Sequence, residues 1–534
     1  MEEDICKTFQ EKIKSNPNYN RFWMDYHIYC KNFKIDDIEL FVESLPILYD
    51  KIKNDGASYQ IYEALRKFTI QESNKGIELL KLIQNAGDLR VLSFVPSILG
   101  GLSQSEKNYP FKEDILSLIK SDNDNEICAG VNSAYQVVIK DSEERINFLK
   151  DVNKALTPIL NKKSSQCFGI ITRFYNNNIR DVEEFREKVV RLLKRKEFVI
   201  QNEVARSLTE EIKREDNPEY FQRCLNLMVF TDVKHDWIYR TLYYRLKKEI
   251  VNNPKSIIEF INEWVKNNQG KQKGIKVLKD MIYDLYAEHP KVIRKLFLSW
   301  LNSDMRSYKI ALHFLINELN DDIDVISLPK KDLKELSERD SLYIVFMIVG
   351  YIPDYKYTSE MLYNVLEANY ENERIRNHIA TFFAKHLIIN HYSVTNILKA
   401  KRKKSNKIIK SIIDQVVSDS NNYYKQLSDL EFLNEFEPSE TRMDYYYKQQ
   451  NKLIQKLMNN EESRNESFLS MMTNISIRTG KSFFLKYDGK YTEESEMQNL
   501  KSSIEISRSR NIDEIGEEKL KLMWQNIKRD ELPN

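Results

Sequence analysis

Ser121-Asp122-Asn123-Asp124-Asn125-Glu126-Ile127-Cys128-Ala129-Gly130-Val131 is where the architecture of this chain becomes readable. A turn rich in Asp and Asn, side chains that favour helix starts, runs straight into apolar residues at helical spacing: Ile127, Val131 and Tyr135. The design returns at Glu371-Asn372-Glu373-Arg374-Ile375-Arg376-Asn377-His378-Ile379-Ala380, with Phe383 as its third apolar position. Further copies begin at Val91, Ile200, Leu342 and Ile408, and a looser one begins at Arg306. From 91 to 127 is 36 residues, from 127 to 200 is 73, and from 306 through 342 and 375 to 408 the steps are 36, 33 and 33. Weaker copies at Gln166, Trp237 and Gly274 fill the gaps. A period near 35 suits one helical hairpin, neither helix of which buries its apolar stripe alone. Ala205, Ala311 and Ala380 each fall five residues after an anchor, where a neighbouring helix is expected to come close.

Composition supports an all-helical reading. Among 534 residues there are 13 Gly and 12 Pro, too few for the turns of a many-stranded β protein. With 25 Phe, 30 Tyr and 5 Trp the chain can fill a large core. Lys+Arg 82 against Asp+Glu 80 leaves a net charge of +2, so an acidic or basic partner has to be met by a local patch. Five cysteines without Cys-x-x-Cys spacing form neither a zinc module nor a disulfide framework, and reduced thiols in the cytoplasm are expected. The acidic start Met1-Glu2-Glu3-Asp4 has no apolar run behind it, and Leu342 to Ile352 is half the length of a membrane span, so it reads as a buried helix.

The quoted turns resemble those of the HEAT/armadillo class of α-solenoids, in which a polar loop precedes an apolar residue and the second helix of each repeat. The resemblance covers about residues 56 to 420 and implies a right-handed solenoid of about ten helical hairpins. Residues 1–55, with Phe22, Trp23, Tyr26 and Tyr29, are expected to cap the array. From 421 the register is lost, and 421–534 reads as a small helical region. It holds a helix near 440 to 459, a β-hairpin near 482–492 around Asp488-Gly489, and a last amphipathic helix with Ile515, Leu520, Met523 and Ile527.

Such an array suits a large partner better than a small substrate, so the expected function is that of a non-enzymatic scaffold binding another protein. No cofactor or small-molecule substrate is called for. A bacterial anti-phage adaptor is one setting that the resemblance implies. Nucleic-acid binding is the alternative, in the manner of the HEAT-like DNA glycosylases. Its candidate residues are the run Lys399, Lys401, Arg402, Lys403, Lys404, Lys407 and Lys410, the aromatic-basic stretch with Arg240, Tyr244 and Arg245, and Arg191 with Arg195. A third reading rests on Arg306 and His313, whose Arg-x6-His spacing resembles that of the HEPN ribonucleases, with His as acid or base and Arg on the phosphate. Gly480-Lys481-Ser482 lacks the glycine five residues earlier that a phosphate loop needs. His378, His386 and His391 do not share one helix face, so no metal site is expected.

Overall fold

The computed structural model describes residues 5–429 apart from 17, 87, 106–108, 163–164 and 320–324, then a few positions between 441 and 496, and 514–532. Among the described residues the fold is all-α, apart from four two-residue strands. Lys486–Tyr487 pairs antiparallel with Lys490–Tyr491, and Ser482–Phe483 with Ser495–Glu496. The Asp488-Gly489 turn expected to close a hairpin lies outside the described residues, as do Gly480-Lys481 and most of the helix expected near 440 to 459.

The chain divides into two compact units, Met1–Ile293 and Arg294–Asn534. In the first, helices Tyr59–Gln71, Val95–Leu102, Asp124–Gln136, Phe168–Asn177, Phe198–Ser207, Asp236–Asn252 and Lys279–Glu288 pack each on the next. Between them in sequence, Phe185–Leu193, Pro218–Leu227 and Pro254–Asn267 form a second series, also neighbour on neighbour. The second unit repeats this alternation. Arg306–Leu319, Glu338–Tyr351, Glu373–Phe382 and Lys407–Ser428 form one series, and Lys330–Lys334, Tyr355–Ala368 and Val394–Arg402 the other.

The polar turns act as helix caps. Asn123 accepts from the Asn125 amide at 2.9 Å and Asn372 from that of Ile375 at 3.0 Å, each satisfying an amide that the helix itself leaves orphaned. The anchors then enter the core: Ile127, Val131, Ile200, Val204, Ile375 and Ile379 are fully buried. Third positions fare less evenly, and Tyr135 is 53% exposed. Each step of four residues advances about 40° around the helix, so by the third position the side chain has turned well off the packed face. At Lys407–Ser428 the core stripe is Ile409, Ile413 and Val416 instead, and Ile408 is exposed. That helix also runs on through 421, where the register had suggested a boundary.

Several side-chain hydrogen bonds join residues 34 to 41 apart in sequence. Ser165 bonds Asp124 at a separation of 41, Arg223 bonds Glu187 at 36, Lys309 bonds Tyr343 at 34, and Leu328 bonds Asn364 at 36. The closest approaches fall on glycine. A Cβ at Gly130 would meet Ile119 Cγ1 at 2.8 Å and Leu118 Cβ at 2.9 Å. Among the expected small positions, Ala205 and Ala311 are buried and Ala380 is half-buried. In the N-terminal helices Ile5–Ser15 and Phe22–Lys31, Phe9 stacks on Tyr29 at 4.5 Å over buried Phe22 and Tyr26, while Trp23 stays exposed. Leu342 to Ile352 is buried at all but Phe346. Among the described residues no helix is long and apolar enough to cross a membrane.

Candidate functional site

One set of contacts breaks the one-repeat rule. Within the second unit, the helix Glu514–Gln525 and the turn Arg529–Glu531 return across about 175 to 189 residues to pack on Glu338–Tyr351. Gly350 makes the approach possible: a Cβ there would stand 3.2 Å from both the Gln525 amide nitrogen and its Cγ. The missing side chain leaves the Gly350 carbonyl reachable, and Gln525 Nε2 donates to it at 2.7 Å. Trp524 fits against two rings edge-on, Phe382 at 5.4 Å and His386 at 4.8 Å. Burial holds the His386 imidazole below its ordinary pKa, with Lys385 adding to the effect.

Arg529 closes the contact. Its guanidinium bonds Asp340, the Asn302 carbonyl and, at 3.3 Å, Asp304, and lies 4.6 Å over the Tyr343 ring. Such a forked, multiply bonded arginine is worth more than an exposed ion pair. Beneath it Lys309, 3% exposed, donates to the Tyr343 hydroxyl at 2.5 Å. Burial pulls the Lys309 ammonium down to about 8, opposed by Asp304 and assisted by Arg529.

The tail does not dock by the stripe the sequence suggested. Ile515, Leu520 and Met523 are 82%, 38% and 58% exposed, Leu522 beside them is 50% exposed, and Ile527, just past the helix, is the one half-buried residue of that stripe among the described residues. Trp524, Gln525 and Arg529 were missed because their partners lie in another part of the chain. The available signal was Trp524, one of five tryptophans in the protein, standing beside the expected stripe.

Arg306 and His313 both meet Tyr351 in this neighbourhood. The His313 Nδ1–H donates to the Tyr351 carbonyl at 2.8 Å, and Arg306 reaches the Tyr351 hydroxyl. The three histidines stay apart in role: His378 bonds the Arg374 carbonyl, His386 meets Trp524, and His391 stacks on Tyr355 at 4.6 Å.

Most of the basic candidates have partners inside the chain. Arg402 forks onto Asp414 at 2.6 and 2.7 Å, and Lys401 binds Glu360 at 2.8 Å. Arg240 pairs with Asp236, and Arg245 with Glu210. Arg191 donates to Asn161, while Arg195 bonds the Leu160 and Lys162 carbonyls at the end of helix Ser142–Leu160 and covers the Phe168 ring. Cations at a helix C-terminus fit that role. Tyr244 is 68% exposed, with Lys247 5.4 Å from its ring. Lys399, Lys403, Lys404 and Lys407 are exposed and Lys410 is half-buried, and none of the five has an ion-pair partner among the described residues.

The five cysteines are reduced thiols, and Cys128 and Cys167 meet in the core at 2.6 Å. The Cys128 thiol donates to the Cys167 sulfur, holding Cys167 below the usual thiol range and pushing Cys128 above it. No protein-family model, curated protein or solved structure matches this chain.

Proposed function

We propose that the chain is a non-enzymatic recognition protein, an α-solenoid of the HEAT-like kind that binds a helical segment of a protein partner. The docked tail carries this reading. The helix series of the second unit already accepts a helix, wedged by Trp524, bonded through Gln525 to the Gly350 carbonyl and held by Arg529. A partner helix with an aromatic wedge followed by an amide and a basic side chain would use the same groups. Ile515, Leu520, Leu522 and Met523, left exposed on the outer side of the tail helix, offer a second apolar contact.

The test is to recover the tagged full-length chain from its native cell after nuclease treatment, cross-link it and map the links by mass spectrometry. A stoichiometric protein linked to 306–319, 338–351 or 514–532 is the expected result. A chain that emerges alone after nuclease, but carries nucleic acid without it, overturns the reading.

That second outcome has its own support in Lys399, Lys403, Lys404 and Lys407, exposed and unpaired among the described residues. Changing these four to Glu would then abolish nucleic-acid affinity that falls steeply with salt. Equal changes at Arg240 and Arg245 should affect such affinity less, since both cations are already paired with carboxylates, and the loss of these surface pairs should cost about 1 kcal/mol or less each.

A further inference from the structure

In the first unit a cavity of about 870 Å³ opens at the N-terminal ends of three successive helices, Phe168–Asn177, Phe198–Ser207 and Asp236–Asn252. Cavities of this size are typical of small-molecule sites. None of the three helices has a side-chain cap, at Cys167, Glu197 or His235, whereas Asn123 caps the preceding helix of the series. Phe168, Ile200 and Ile238 donate to the Ser165, Glu197 and His235 carbonyls, which leaves the Phe198, Val199, Asp236 and Trp237 amides open to an acceptor among the described residues.

Aromatic rings line the cavity beside these amides. Phe198, 48% exposed, stacks on His235 at 5.1 Å and 24°, and Trp237 flanks His235 edge-on at 6.3 Å. Lys196 adds a cation and sits in an unusual backbone. Its φ is +61°, a left-handed conformation that glycine adopts freely and lysine does not. The ammonium so placed lies 3.7 Å over the Phe230 ring, at the cavity wall.

Gln201 is the independent sign of a ligand. It lines the same cavity, is 2% exposed, and its Nε2 has no hydrogen-bond partner among the described residues. Buried amide donors are rarely left so. The carboxylates divide. Asp124 is engaged by Lys162 and Ser165, and Asp232 by Lys234. The Glu197 carboxylate has no ion-pair or hydrogen-bond partner among the described residues, and burial raises its pKa.

We propose that this cavity binds a nucleotide whose base carries an amino group. The base stacks on Phe198 and His235, Gln201 donates to a ring nitrogen or carbonyl, and Glu197 accepts from the amino group. Lys196 and the uncapped amides take the phosphate. The amino group separates adenine, cytosine and guanine from uracil and thymine, because only the first three can donate to a carboxylate from an exocyclic nitrogen. The nucleotide can arrive free or as a unit of a single strand, where stacking on aromatic side chains works in the same way. The site stands apart from the tail-docking reading, and either can fail alone.

The full-length protein is titrated with AMP, CMP, GMP and UMP, and with eight-nucleotide strands of A or U, following tryptophan fluorescence and calorimetry. Saturable binding of the amino-bearing nucleotides, with UMP at least tenfold weaker, is expected. Tighter binding of the A strand than of AMP identifies the source as a strand; the reverse identifies a free nucleotide. Phe198→Ala should weaken binding about tenfold or more. Lys196→Gly should weaken it similarly while the melting temperature holds or rises, since glycine relaxes the backbone. No saturable binding, equal binding of UMP, or affinity unchanged in both variants overturns the proposal.

Discussion

At the scale of single residues, the tightest packing rests on atoms that are missing. A Cβ at Gly101 would overlap Thr69 Oγ1 and stand 2.7 Å from the Arg66 carbonyl. Thr69 is itself fixed, its hydroxyl donating to the Leu65 and Arg66 carbonyls at 3.1 and 2.9 Å. Gly101→Ala should therefore force helices Tyr59–Gln71 and Val95–Leu102 apart and cost about 1–3 kcal/mol, read as a lower urea midpoint. Gly56, with nothing within 4 Å of its Cβ position, is the control: Gly56→Ala should be neutral or slightly stabilising. Equal losses in both would sink the close-approach account. The sequence contains the clue, since a glycine inside a helix of a glycine-poor chain needs a reason. Spacing alone pointed to alanines instead.

At the scale of elements, the tail is a docked helix with a testable latch. Gly350→Leu should expel Glu514–Gln525, because its side chain would occupy the space of Gln525 and Trp524. Leucine is the better helix former, so Glu338–Tyr351 itself should persist. Hydrogen exchange should then show protection lost in 514–532 and retained in 338–351; retained protection in both would refute the latch. Docking should also tighten as pH rises. His386, with its pKa held below the ordinary 6.5, binds fewer protons when buried under Trp524, so docking weakens as pH falls below that value. Lys309, pulled to about 8 and repelled by Arg529, loses its charge above that pH, which favours docking there. Tryptic cleavage at Lys519 and Lys521, after correction for the enzyme's own pH profile, should slow from pH 6 to 9. Lys309→Met should flatten only the alkaline part of that trend.

At the scale of the whole molecule, bonds one repeat apart predict stability that is local. The damage from Gly101→Ala should reach exchange protection in Tyr59–Gln136 and leave 306–390 unchanged. Uniform loss along the chain would mean one cooperative unit instead. Much of this organisation was legible in the sequence. Helices, their Asn and Asp caps and the period near 35 depend on residues within a turn or two of one another, so local spacing records them. Candidate sites were less legible. The run 399–410 contains no acid, yet Lys401 and Arg402 are neutralised by Glu360 and Asp414 from neighbouring helices. The sequence by itself determined an all-α chain of alternating helices with mostly buried anchors, since periodicity and capping are local properties. Only the tertiary structure decided which cations stay free, that Phe198, His235 and Gln201 line one cavity, and that the last helix docks by Trp524 with its apolar stripe outward. Most of those depend on side chains brought together from about 30 to more than 200 residues apart, where no local pattern reaches.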